Sequence, residues 1–137
     1  MVKQLSLFDG MLLNPTIEKV FNKLAVPVKP QKMEQLKTDI KRYLERITRA
    51  QNKNEFLNEP LARKIGKTAI YLLDSYQQYP KNKQALIIGA VKYFLLDADE
   101  ENDLESPLGF DDDAEVFNYV LKNIGRDDLI IDIEGVF

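Results

Sequence analysis

Apolar residues recur at intervals of three and four positions in five stretches of the chain. This spacing places them on one face of an α-helix and predicts helices over residues 15–24, 31–52, 59–79, 83–98 and 111–125. The stripes expected to be buried are Ile17, Val20, Phe21 and Leu24; Met33, Leu36, Ile40, Tyr43, Leu44 and Ile47; Leu61, Ile65, Ala69, Leu72, Leu73 and Tyr76; and Val116, Phe117, Val120, Leu121 and Ile124.

We therefore predict an all-α fold, with a single bundle of about five helices formed by residues 14–125. Residues 1–13 and 126–137 are predicted to be extended tails. Residues 129–137 alternate between apolar and polar as a strand does. They either pair with residues 4–8 or dock on the bundle as an extended tail.

Several helix boundaries are marked by local signals. Asn14 precedes Pro15, and Asn58 stands two positions before Pro60, so both asparagines are predicted to cap a helix whose first turn holds a proline. The acidic triplet 111–113 predicts the start of the last helix, with Asp112 or Asp113 as its cap. Gly125 is predicted to close that helix, because glycine readily adopts the left-handed conformation found after helix ends.

The composition removes several classes of chemistry. Of the 137 residues, 45% are apolar, which suffices for one core, and there is no histidine or cysteine. Disulfides, thiolate metal sites, imidazole acid–base catalysis and Ser-His-Asp triads are thereby excluded. The longest apolar segment, residues 85–96, is too short to span a bilayer, and no secretory signal pattern is visible. We expect a non-enzymatic, cytoplasmic protein that does not contact membranes.

Charge is distributed unevenly although the formal net charge is only −3. Most Lys and Arg residues precede position 97, and most carboxylates follow it. The basic positions include one face of the second predicted helix, from Lys37 to Arg49. Such a face can contact phosphate groups, but Glu34, Asp39 and Glu45 dilute it, and no nucleic-acid-binding motif accompanies it. We do not expect direct binding of nucleic acid.

The stretch from Tyr93 to Phe117 is the most distinctive in the chain. It contains Asp99, Asp103 and Gly109, followed by Asp112-Asp113-Ala114. This spacing resembles the signature of the YkvA-like domain, a bacterial family of unknown function, and the resemblance extends over residues 65–125. Where that signature has prolines, this chain has Asp97, Asn102 and Ser106. The connection is usually apolar in YkvA-like proteins, and some of them associate with membranes. The polar connection in this chain argues against membrane contact at this loop.

Four aspartates of this stretch are candidate ligands for a divalent cation. Asp99, Asp103, Asp112 and Asp113 supply the carboxylate oxygens that Mg²⁺ and Ca²⁺ prefer, although their spacing does not fit an EF-hand. The other interpretation is structural, because aspartates at turns and helix starts accept hydrogen bonds from nearby backbone N–H groups. A weak carboxylate-based metal site is therefore the alternative to a protein without a cofactor.

The second motif is the pentapeptide Gln4-Leu5-Ser6-Leu7-Phe8. It is similar to the peptide with which many bacterial replication and repair proteins bind the DNA sliding clamp. Leu7 and Phe8 are suited to an apolar pocket, Leu5 to packing beside them, and the Gln4 amide to fixing orientation. The alternative is that these side chains pack into the bundle. The sequence predicts an interaction module tethered to the clamp through residues 4–8.

Overall fold

The computed structural model describes residues 13–52, 57–96 and 110–133. Within these ranges the chain forms five α-helices and no strand: α1 (Pro15–Leu24), α2 (Met33–Gln51), α3 (Glu59–Asp74), α4 (Lys81–Leu96) and α5 (Asp111–Asn123). Short 3-10 turns lie at Pro30–Lys32, Tyr76–Gln78 and Asp127–Leu129. The predicted all-α fold is confirmed.

Helix α4 is the centre of the bundle, because it contacts each of the other four helices. Five of its apolar residues are fully buried: Ile87, Ile88, Ala90, Val91 and Phe94. The ring of Phe94 packs against Tyr43 of α2, with centroids 5.0 Å apart, and against Phe110, at 6.4 Å. One continuous core therefore joins all five helices, and its burial is the main source of stability.

Two glycines allow neighbouring helices to approach closely. A Cβ atom on Gly89 of α4 would lie 2.7 Å from the Phe21 ring and 3.1 Å from the Ala25 backbone. A Cβ atom on Gly66 of α3 would lie 2.5 Å from the tip of the Leu44 side chain. Gly89 thus faces a ring and backbone that cannot easily move, whereas Gly66 faces a flexible side chain.

The predicted starts of α1 and α3 hold, whereas α3 ends at Asp74, five residues before its predicted end, and a 3-10 turn follows at Tyr76–Gln78. The Asn14 side chain accepts a hydrogen bond from the Thr16 N–H at 2.7 Å, and Asn58 accepts one from the Leu61 N–H at 3.2 Å. The end of α5 is also as expected. Gly125 has a φ of 80°, its N–H donates to the Lys122 carbonyl, and the Arg126 N–H donates to the Leu121 carbonyl. These paired bonds form a Schellman motif.

The start of α5 differs from the prediction. Phe110 occupies the capping position and makes no side-chain capping bond, so Asp112 and Asp113 lie inside the first turn. The prediction that one of them caps the helix is wrong. Phe110 is 2% exposed and packs against Phe94, so the residue that precedes the helix is held in the core. The aspartates can still interact with the positive end of the helix dipole.

Smaller differences concern the edges of the bundle. Helix α2 begins at Met33 after a 3-10 turn, and α4 begins at Lys81, two residues earlier than predicted. Residues 97 and 98, the predicted end of α4, lie outside the described ranges. Val20, expected in the core, is 36% exposed, whereas Leu13, assigned to the tail, is buried. The other predicted core residues are buried or half-buried.

The segment after α5 packs on the bundle. Ile131 is 2% exposed, and its backbone N–H and C=O both bond to the Asn118 side chain of α5, at 2.7 and 2.9 Å. Residues 126–133 are thus part of the folded unit. They dock on the bundle, which was one of the two predicted alternatives. They are not extended throughout, because they include a 3-10 turn. Residues 134–137 lie outside the described ranges.

Candidate functional site

The pentapeptide Gln4, Leu5, Ser6, Leu7 and Phe8 lies outside the described residues. Its distance from the bundle is nevertheless limited by the chain. Leu13 is buried, and Asn14 caps α1, so the connection is anchored at that point. A fully extended chain from position 8 to position 13 spans at most about 18 Å. Any partner held by residues 4–8 would therefore lie near the start of α1.

The structure describes two of the four candidate metal ligands. Asp112 is exposed on α5, whereas Asp113, the next residue, is 1% exposed. Successive helical residues point about 100° apart, so these two side chains face different environments. Asp99 and Asp103 lie outside the described ranges. Within the described part of the chain, no three or more His, Cys, Asp or Glu residues form a group that could hold a metal ion.

The start of α5 is a region of negative potential. Burial raises the pKa of the Glu115 carboxyl group, and the neighbouring charges of Asp112 and Asp111 raise it further. Each of these carboxylates makes it harder to ionise the next. A cation near this turn would relieve the repulsion, but the geometry of the described residues does not assemble a ligand set.

The basic face of α2 is partly occupied by contacts within the protein. Lys37 lies 2.7 Å from Asp74 and 2.9 Å from Glu34. Hydrogen bonds to these two carboxylates raise the pKa of the Lys37 ammonium group. Arg46 stands over the Tyr43 ring, 5.9 Å from its centroid. Lys41, Arg42 and Arg49 remain exposed. The face is therefore interrupted and does not form an unbroken cationic surface.

A polar network that includes Thr48 and Arg63 lies at the groove between α2 and α3, which these two residues help to line. The Arg63 guanidinium donates to the Glu59 carboxylate and, at 2.9 Å, to the Thr48 hydroxyl. The Thr48 hydroxyl in turn donates to Glu59 at 3.0 Å. These bonds join the last turns of α2 to the start of α3. They account for Arg63 structurally, so it is not a free anion-binding group.

A cluster around Arg126 was not foreseen from the sequence. The guanidinium lies 5.2 Å from the centroid of the Tyr71 ring, bonds twice to Asp128 at 2.9 and 3.0 Å, and approaches the Tyr79 hydroxyl at 3.4 Å. Hydrogen bonds from Arg126 hold the pKa of the Asp128 carboxyl group below its usual value. Only the Gly125-Arg126 helix ending was visible in the sequence. The cluster fastens the segment after α5 to α3.

No protein-family model, no curated protein and no solved structure matches the chain. No helix of the described residues is long and apolar enough to cross a membrane.

Proposed function

We propose that this protein is a non-enzymatic interaction module that binds the bacterial DNA sliding clamp through residues 4–8. The observation that carries the proposal is the five-residue match Gln4-Leu5-Ser6-Leu7-Phe8. Two apolar anchors beside a polar orienting side chain fit the small, partly apolar pockets that bind short peptides. The helical unit that begins at Leu13 is then the part that the motif carries to the clamp.

The position of the motif supports this proposal. Asn14 and Pro15 begin α1 immediately after Leu13, so the folded unit starts only a few residues beyond Phe8. An extended peptide could occupy a pocket on a partner without any change in the helices. The short connection would also keep the bundle close to the clamp surface, where other contacts could add to those of the peptide.

The non-enzymatic part of the proposal rests on the side chains available. The sequence has no histidine or cysteine, so acid–base work at neutral pH would fall to carboxylates, lysines or tyrosines with strongly shifted pKa values. Among the described groups, burial raises the pKa values of Glu115 and Tyr119. The pKa shifts of Lys37, Arg126 and Asp128 arise instead from hydrogen bonds in surface contacts. Such contacts stabilise a surface and do not prepare a group for proton transfer.

The test is a titration of the purified chain with the clamp of its host. We expect micromolar-range affinity, about −8 kcal/mol, as for a single short peptide. The double variant Leu7→Ala, Phe8→Ala should weaken binding at least tenfold. The variant Met11→Ala, Leu12→Ala is the matched control, because it removes two apolar side chains just outside the motif and should bind as the native chain does.

The same variants separate binding from packing. If Leu7 and Phe8 were core residues, the double variant would lower the free energy of unfolding by several kcal/mol, since truncating one buried large side chain costs about 2–5 kcal/mol. We expect a change below about 0.5 kcal/mol, as at exposed positions. Large destabilisation, or native-like binding by the double variant, would contradict the proposal.

A further inference from the structure

A groove of about 520 Å³ lies where the connection between α1 and α2 passes the first turns of α2 and the middle of α4. The described residues that line it are Pro27, Val28, Lys29, Lys32, Gln35, Leu36 and Lys92. Lys37 and its two carboxylate partners, Glu34 and Asp74, are not among the described residues that line it.

The apolar wall of the groove is held in place by a buried hydroxyl group. The Tyr76 hydroxyl accepts a hydrogen bond from the Val28 N–H and donates one to the Val28 carbonyl, each at 2.9 Å. Tyr76 is 1% exposed. Pro27 and Pro30 further restrict the backbone on both sides of Val28. A ligand would therefore meet a preformed surface and would not bear the entropic cost of ordering it.

The rim of the groove is positively charged. Lys29, Lys32 and Lys92 line it, and none of the described lining residues is a carboxylate. Among described residues, these three ammonium groups form no ion pair. Lys37 is different, because Glu34 and Asp74 neutralise it. Three ammonium groups that have no ion-pair partner in the described part of the chain, around an apolar wall, favour a ligand that is both anionic and apolar.

We propose that this groove binds an acidic peptide segment of a partner protein. An aliphatic side chain of the peptide packs against Val28 and Leu36, and flanking carboxylates approach Lys29, Lys32 and Lys92. The groove's described lining residues include no aromatic ring to stack on a base and no arginine to form a bidentate bond with a phosphate. These features favour a peptide over a nucleic acid. The proposal does not depend on residues 4–8.

The experiment uses the full chain and a labelled probe peptide, acetyl-Glu-Glu-Leu-Leu-Glu-Glu-amide, at low salt. We expect a Kd of about 0.1 mM that weakens as salt screens the charges. The variant Lys32→Glu, Lys92→Glu should weaken binding at least tenfold. The control Lys41→Glu, Lys67→Glu makes the same change in net charge on exposed positions of α2 and α3 and should change the Kd less than threefold. The double variant at Leu7 and Phe8 should bind the probe normally.

Two further probes test the apolar and anionic requirements separately. A peptide with Ser in place of both Leu residues, and one with Lys in place of every Glu, should each bind at least tenfold more weakly. Amide signals that shift on binding should map to residues 26–36 and to α4 near Lys92. Three results would overturn the proposal. The two charge variants could lose affinity for the peptide equally, the native chain could fail to bind the peptide at 1 mM, or a single-stranded oligonucleotide could bind more tightly than the peptide. Self-association that only the groove variant abolishes would also overturn it, since the groove would then belong to a second copy of the chain.

Discussion

The helical unit and the pentapeptide at residues 4–8 differ in what makes a residue important. In the helical unit a residue matters through the side chains that surround it, as with Phe94 between Tyr43 and Phe110. In the pentapeptide the proposed binding to the clamp depends on the order of five neighbouring residues. Substitutions in the first region should therefore change stability, and those in the second should change binding alone.

The largest effect is expected at the centre of α4. Phe94 is fully buried, so Phe94→Ala should lower the free energy of unfolding by about 3–5 kcal/mol through lost burial and a residual cavity. Leu96→Ala is the control on the same helix, because Leu96 is 42% exposed, and it should cost less than about 1 kcal/mol. Urea denaturation measures both. If both variants lost a similar amount of unfolding free energy, the packing of Phe94 would not be a main source of the stability of the bundle.

The docked segment after α5 should depend on one amide side chain. Asn118→Ala removes both partners of the buried Ile131 backbone and should cost about 1–3 kcal/mol. Asn123→Ala, which removes a single bond to the Tyr119 carbonyl, should cost less. Faster hydrogen exchange at Ile131 only in the first variant would show undocking. Unchanged exchange would contradict the assigned role of Asn118.

The two helical glycines should respond differently to alanine. Gly89→Ala places a methyl group against Phe21 and the Ala25 backbone. The resulting strain of about 1–3 kcal/mol should exceed the gain in helix propensity of about 1 kcal/mol. At Gly66 the Leu44 side chain can move aside, so Gly66→Ala should be neutral or stabilising. Melting temperatures of the two variants test this; equal shifts would mean that both helix pairs adapt alike.

The smallest effect is expected from divalent cations. A weak site built from Asp99, Asp103, Asp112 and Asp113 remains the alternative functional proposal. If it exists, millimolar Mg²⁺ or Ca²⁺ should raise the melting temperature by a degree or two, because a ligand that binds only the folded state stabilises it. Asp103→Asn should abolish the shift, whereas Asp128→Asn should leave it intact. No shift in the native chain would remove the metal proposal.

The sequence predicted the helical part of the molecule where the signals were local. Asn14 and Asn58 cap helices as expected, because a cap bonds to N–H groups only two or three residues away. The buried stripe from Met33 to Ile47 was also predicted from the sequence, since helical periodicity indicates which face of a helix is buried.

Features set by distant contacts were missed. The start of α5 depends on Phe110 meeting Phe94, and the bond pair between Asn118 and Ile131 depends on how the chain turns after Gly125. The groove beside Val28 depends on Tyr76, which is 48 positions away in the chain. The candidate clamp motif is the opposite case. It is entirely local, so it could be proposed from sequence, but periodicity and packing provide no check on it.

The most direct test of the central proposal follows the amide signals of the isotopically labelled chain during addition of unlabelled clamp. At substoichiometric clamp, the signals of Leu5, Leu7 and Phe8 should weaken first and most strongly, and an excess of a peptide of residues 1–12 should restore them. The helical core should keep its chemical shifts. Signals of residues 4–8 that stay unchanged while others weaken, or an absence of any response to the clamp, would contradict the account.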